Sequence, residues 1–263
     1  MAQPKGYVDP EYLLAVGNQL NHIKQRSYAL MHIQLGHKVL DLGCGPGTDT
    51  IPLGPLVGVN GQVIGADYDE GMIAEAEQRA QQAAVNTWVR HQRVDAVSLP
   101  FTTDYFDSCR SERLFQHLHN PAQALSEMLR VTKPGGRVVV LDTDWGTWST
   151  DSDDTDIERR LARFLAETFL HNGCSGRKLY RLFKQQMLTD ISFEVIPLAT
   201  TNYALARQVT QAERSEREAL KAGVITAQEL QRWHTGLEKA DSEGIYFSSV
   251  NLIMIAGRKS ATH

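Results

Sequence analysis

Short, nearly all-apolar runs alternate with amphipathic stretches along most of the chain, which predicts strands interleaved with helices. Val39-Leu40-Asp41-Leu42, Gln62-Val63-Ile64-Gly65-Ala66-Asp67 and Arg137-Val138-Val139-Val140-Leu141 are strand-length runs, the last apolar enough to be buried on both faces. After Asp67, the residues Met72, Ile73, Ala76, Ala80 and Ala83 recur at helical spacing, with Glu75, Glu77, Arg79 and Gln82 opposite. Trp88 to Val94 is a further strand, and its polar Arg90-His91-Gln92-Arg93 run places it at a sheet edge. Asn120-Pro121 opens a helix and Lys133-Pro134-Gly135-Gly136 stops it. Ile191 to Tyr203 alternates as a strand but contains Pro197, which cannot donate to a ladder and again argues for an edge. Thr210 with Glu213 and Thr226 with Glu229 read as capping boxes opening two helices before a last apolar strand, Ile245 to Ala256. Tyr7 to Ile33 reads mainly as helix ahead of the first strand.

The stretch most specific for chemistry follows the first strand: Asp41-Leu42-Gly43-Cys44-Gly45-Pro46-Gly47. Glycine accepts positive φ and lets the backbone lie against a ligand, so a strand, a glycine turn and a helix start make a nucleotide cradle. A dinucleotide-binding turn has GxGxxG spacing. Here the third glycine comes one residue early and Thr48 stands in its place, which argues against a nicotinamide-dependent dehydrogenase. Asp41 beside the turn would repel a pyrophosphate and instead attract a cation, such as the amino group of an amino acid, or accept from a ribose hydroxyl. Asp67 ends the next strand, where a carboxylate accepts from ribose hydroxyls.

The run Val39 to Thr50 together with Asp67 resembles the class I S-adenosylmethionine-dependent methyltransferases, most closely the group of ubiquinone and menaquinone biosynthesis. The resemblance implies an α/β fold, a Rossmann-like seven-stranded sheet of order 3-2-1-4-5-7-6 with the last strand antiparallel, helices on both faces and a helical lobe over the substrate side. It implies one methyltransferase domain over residues 1–263, with lobe insertions at 145–190 and 203–243. It also implies S-adenosyl-L-methionine as cofactor, with Asp41, Gly43, Gly45 and Gly47 at its methionine and ribose parts. By the same resemblance Asp67 meets the ribose, Tyr68 and Met72 flank the adenine, and Asp95 and Ala96 meet the adenine edge. Tyr105 to Leu114 looks like the fourth strand and the loop beyond it, with Arg110 and Ser111 near the sulfonium. The leading helix often folds over the cofactor in this family, which makes Tyr7, Tyr12 and Gln25 secondary candidates.

Ligands of open α/β sheets bind beyond the carboxyl ends of the strands, so Asp142, Asp144, Trp145 and Trp148 are candidates for the substrate side. Two tryptophans beside two carboxylates suit a cationic group, or form a hydrophobic wall. Asp144 and His117 are the candidate general bases, needed only where the nucleophile loses a proton. Ser111-Glu112-Arg113-Leu114 stands where base-amino methylases of nucleic acids carry Asn-Pro-Pro-Tyr or Asp-Pro-Pro-Tyr.

A net charge of −4 with no Lys/Arg run gives no support to a nucleic-acid partner, and points to a small-molecule substrate. Cys44, Cys109 and Cys174 are too few and scattered for a disulfide frame or a zinc site, so no metal is expected and a reducing cytoplasm fits. No apolar run approaches ~18 residues, and no membrane partner is expected. The expected activity is methyl transfer by in-line displacement to oxygen, nitrogen or carbon of a metabolite. The rivals are a non-catalytic cofactor-binding protein on the same fold and methylation of a protein or RNA.

Overall fold

The computed structural model describes residues 20–261. Seven strands form one sheet in the order β3-β2-β1-β4-β5-β7-β6. They are β1 Lys38–Leu42, β2 Gln62–Asp67, β3 Val89–Arg93, β4 Phe106–Glu112, β5 Thr132–Thr150, β6 Thr189–Thr200 and β7 Ser248–Arg258. The first five run parallel, and β7 lies antiparallel between β5 and β6. Both edges fall where polarity and Pro197 put them. Register places Leu42 beside Ala66 on one side and Ser111 on the other, so β1, β2 and β4 end in line.

Each face of the sheet buries its own helices because side chains alternate along the strands. Leu40, Leu42, Val138 and Val140 meet α4 (Pro121–Val131) through Leu125 and Met128, and α6 (Ser175–Gln185) through Leu179 and Phe183. Val39, Val63, Val139 and Leu141 meet α1 (Asn21–Leu30), α2 (Thr50–Val57) and α3 (Glu70–Gln82) on the other face. Asn120 caps α4 by accepting from Gln123 N, with Pro121 in the first turn.

A third core unites α5 (Thr155–Phe164), the wide turn Leu165–Phe169, α7 (Tyr203–Val209), α8 (Ala212–Lys221) and α9 (Ala227–Ser242), with Trp233 and Leu237 from the last. Within the span 145–190, therefore, α5 and the turn after it join this lobe core. Helix α6 instead packs on the sheet.

Two local expectations are corrected. The strand expected to end at Leu141 continues to Thr150, because β7 supplies ladder partners beyond it: Asp142 faces Ile253 and Asp144 faces Asn251, and after an irregularity over residues 145–148 the pairing resumes at Ser149 and Thr150. Thr210 closes α7, its hydroxyl donating to Ala206 O at 2.9 Å, while Gln211 at φ 49° precedes α8. Only Thr226 with Glu229 forms a capping box, and the segment between β6 and β7 holds three helices. Tyr7 and Tyr12 lie outside the described residues, and Gln25 is exposed.

Candidate active site

A cavity of about 240 Å³ opens beyond the aligned ends of β1, β2 and β4, between the glycine turn and the helical lobe. Gly43, Gly45 and Gly47 have φ of 78°, 50° and 77°, which L side chains rarely adopt. A Cβ on Gly43 would stand 2.9 Å from Leu114 Cβ. The turn is tied to β2 by Gly43 N and Cys44 N donating to Ala66 O at 2.7 and 3.1 Å.

Asp67 is the hinge of this arrangement. Its Oδ2 accepts from Gly45 N at 2.9 Å and its Oδ1 from Asp69 N at 3.0 Å. The carboxylate so oriented lines the cavity and is an acceptor only, so the cradle fits a ligand presenting hydroxyl donors. Burial pushes the Asp67 carboxyl up, against the backbone amides that hold it ionised. Asp69 caps α3 by accepting from Met72 N at 2.9 Å, which seats Met72 in the wall beside Tyr68. The exposed ring of Tyr68 lies beneath the guanidinium of Arg93.

Asp95 and Ala96 do not reach the cavity. Asp95 is exposed and accepts from Val97 N, while Ala96 joins the sheet core. Gly47 is likewise absent from the lining; its Cβ would meet Ala76 and His91, so its part is to let the turn close on α3 and β3.

Asp41 does attract a cation, but the cation is the protein's own. Parallel pairing sets Arg110 opposite Asp41, and the fully buried guanidinium reaches Asp41 Oδ1 at 3.1 Å, Asp49 Oδ1 at 3.0 Å, Ser27 Oγ at 3.0 Å and Glu112. Lys24 adds a second positive charge, 2.5 Å from Asp49 and 3.2 Å from Glu112, and Tyr28 donates to Asp49. Burial opposes ionisation of all three carboxyls. Arg110 and Lys24 overcome it at Asp49, Lys24 and Arg110 at Glu112, and both are held below the ordinary range. At Asp41 burial prevails and its carboxyl is pushed up to about 7. Two cations thus match two carboxylates, and the third carboxyl is the one that burial pushes toward its protonated form. Arg110 and Ser111 are consequently sealed beneath the turn and line no part of the cavity, which corrects their expected place. Glu112 and Asp49 bring the cluster to the cavity wall instead.

On the substrate side only Trp145 lines the cavity among the four residues expected there. Asp142 is fully buried under it, accepting from Gln116 N at 3.0 Å and Thr143 N at 2.8 Å, and burial pushes it up to about 7. Asp144 is buried and accepts from Arg177 Nε at 2.6 Å. Both carboxylates sit within β5 because the ladder with β7 extends past them, so no acidic amine-binding pair forms. Trp148 lies against the lobe core, donating to Ser248 Oγ at 3.0 Å. Of the candidate bases, Asp144 is away from the cavity and His117 lines it. His117 ends a short helical turn, Phe115–His117, and burial with the positive charges of Arg113, His171 and Arg214 pushes it down to about 4.

Sequence reasoning missed Gln116, Arg113 and the lobe residues Phe169, Leu170, Leu198 and Val209 in the lining. Arg113, at φ 53°, turns the chain off β4 and carries no polypeptide signal of its own such as a glycine. The cavity is charged at one end, with Asp49, Asp67, Asp69, Glu112 and Arg113. At the lobe end it is neutral and mostly apolar.

Comparison with known proteins agrees with this architecture. A family described as a methyltransferase domain matches residues 33–187. A protein of transposon TN4556 from Streptomyces fradiae, of 37.1 kDa and described as uncharacterized, is 33% identical over 85% of this chain and 63% of its own length. The demethylmenaquinone methyltransferase of Lactiplantibacillus plantarum is 39% identical over 46% of this chain and 52% of its own. The chain thus spans between half and two thirds of the length of these relatives. The crystal structure of the YcgJ protein of Bacillus subtilis superposes with a TM-score of 0.66 at 23% identity, covering 91% of this chain and 99% of that one. No helix among the described residues is long and apolar enough to cross a membrane. The family match takes in more than half of the sequence, glycine turn and Asp67 included, and the chain belongs to the methyltransferase-domain family.

Proposed function

We propose that the protein transfers the methyl group of S-adenosylmethionine to a small, largely apolar molecule. The observation that carries this reading is the polarity of one continuous cavity: a glycine-and-aspartate cradle at one end and a neutral wall of Trp145, Phe169, Leu198 and Val209 at the other. Asp67, which lines the cavity with its carboxylate oriented by the amides of Gly45 and Asp69, would accept from the two ribose hydroxyls. Tyr68 and Met72 would flank the adenine. The cofactor supplies a methyl group already activated by a positive sulfur.

The chain's own tasks are then to align the acceptor with that methyl group and to exclude water, and the lobe does both. An apolar acceptor agrees with the relatives named demethylmenaquinone methyltransferase and 2-phytyl-1,4-naphtoquinone methyltransferase. It is also the better match to a wall without a carboxylate for an amine. Three free cysteines fit a cytoplasmic setting.

The test is incubation of purified protein with methyl-labelled S-adenosylmethionine and a cell extract divided by size. Label in the small-molecule fraction supports the reading. Label confined to protein or RNA overturns the acceptor class, and no label despite cofactor binding favours a binding protein.

A further inference from the structure

The side-chain amide of Gln116 is held between groups of fixed character. The indole Nε1–H of Trp145 can only donate, and it lies 2.6 Å from Gln116 Oε1. That contact decides which end of the amide is oxygen. The amide nitrogen, with two hydrogens, then faces Arg113 O at 3.1 Å and His117 Nε2 at 3.2 Å. A carbonyl accepts, and an imidazole nitrogen facing an amide N–H must accept as well. In a neutral imidazole the proton consequently sits on Nδ1. The frame is rigid: Gln116 is 7% exposed and its backbone N–H is fixed by Asp142.

His117 Nδ1 is buried without a hydrogen-bond partner. The other such side-chain atoms among the described residues are Asp41 Oδ2, Ser111 Oγ and Asp144 Oδ1. None of those three residues lines the cavity, and His117 does. A buried donor left unsatisfied is costly, which makes this one a place for a ligand atom that accepts.

We infer that Trp145 and Gln116 are positioning residues that hold His117 as its Nδ1–H tautomer, and that His117 donates this hydrogen to an oxygen of the methyl acceptor rather than taking a proton from it. The identity of the ligand rests on the methyltransferase reading; the tautomer does not. The depressed basicity of the ring agrees, since a ring neutral at pH 7 with Nε2 occupied has no free site for a proton. The acceptor class that follows is an apolar ring or chain bearing an acidic hydroxyl, phenolic or enolic. Donation to its oxygen favours the ionised form, which is the nucleophile. An acceptor that must lose a proton loses it to solvent, and His117 steadies the anion that results.

The experiment is long-range 1H–15N correlation NMR on full-length protein labelled in histidine, with the His117 signals assigned by their loss in His117→Asn. At pH 7 the resting protein is expected to show a protonated Nδ1 and an unprotonated Nε2; the opposite tautomer or a charged ring overturns the proposal. Gln116→Glu cannot donate to Nε2 and is expected to move the proton there, and an unchanged tautomer overturns the relay. Where that variant fails to fold, Trp145→Phe decides: loss of the indole donor is expected to give a mixture of tautomers, and a pure Nδ1–H form overturns the role of Trp145. With S-adenosylhomocysteine present, 1-naphthol is expected to shift the Nδ1–H resonance downfield and naphthalene to leave it unmoved. No shift with 1-naphthol, or equal shifts, overturns the acceptor contact. Thermal stabilisation by S-adenosylhomocysteine is read separately; its absence defeats the methyltransferase reading and leaves the tautomer result standing.

Discussion

The glycine-turn end of the cavity is assembled mostly from neighbours in sequence, Gly43 to Met72, joined by Glu112 and Arg113 at the end of β4, whereas the lobe end draws Trp145, Phe169, Leu198, Val209 and Val250 from segments separated by whole helices. The first end is polar and held by backbone amides and a buried ion cluster. The second is neutral and held by apolar packing in a core of its own. A cofactor common to a family needs the same donors and acceptors every time, and backbone geometry supplies them. An acceptor differs from enzyme to enzyme, and side chains on a separate core can change without disturbing the cradle. If this division of labour is right, substitutions at the two ends should differ in size and in what they impair.

The largest effect is expected at Arg110. Arg110→Met leaves Asp49 and Glu112 buried with Lys24 alone, and removing one partner from a buried cluster costs about 3–5 kcal/mol. Urea unfolding measures it; a loss below about 1 kcal/mol would show that water reaches the cluster and that the cradle end is not built on buried charge.

Next comes the pH response of Asp142. Its folded pKa is raised from the ordinary 3.8 to about 7 by burial. Between those values the folded protein keeps a proton that the unfolded chain has released. Stability attributable to Asp142 is therefore full at low pH, falls as pH rises through this window and levels off above it, a change of at most about 4 kcal/mol. Asp142→Asn should lack that slope, so the variant gains on the parent between about pH 4 and pH 7. Parallel unfolding curves for the two proteins would mean that water or the Gln116 amide keeps Asp142 ionised.

Asp67→Ala should lower affinity for S-adenosylhomocysteine at least tenfold, the scale of one or two hydrogen bonds to a charged group at about 1.5–3 kcal/mol each. Calorimetry reads the affinity. Loss of Asp67 also frees Gly45 N, so the size of the accompanying stability loss shows how far the turn depends on this one carboxylate.

The contrast also explains what the sequence made legible. Both edge strands and the glycine-turn end follow from local patterns, the polar run of β3, Pro197, and glycines ahead of Asp67, while the strand order comes from the family resemblance that those motifs carry. Arg110 differs from its expected place because the resemblance sets the loop after the fourth strand at the sulfonium, whereas here the strand runs on through Arg110 to Glu112. Nothing local says that β4 pairs with β1 so as to bury it against Asp41. Asp142 and Asp144 were misplaced for a related reason. The strand looks finished at Leu141, and its continuation depends on β7, more than a hundred residues away. Gln116 carries no local signal at all, since its role, placing the adjacent His117, depends on two partners, Asp142 and Trp145, that tertiary structure brings to it.

The smallest effect is expected at Trp148, which a reading of sequence alone would place in the substrate pocket. Trp148→Phe keeps an aromatic ring against the lobe core and deletes only the donor to Ser248 Oγ. Ser248 still exchanges hydrogen bonds with Thr150 and the carbonyl of Ser149, so no buried group is orphaned. Stability should fall by about 1 kcal/mol or less, with cofactor affinity and acceptor KM unchanged. Phe169→Ala, by contrast, opens the cavity wall itself and should raise acceptor KM while leaving cofactor affinity alone. If Trp148→Phe raised acceptor KM as Phe169→Ala does, the acceptor would have to reach beyond the cavity into the lobe core, and the neutral end could no longer be treated as a wall whose residues vary independently of the core behind it.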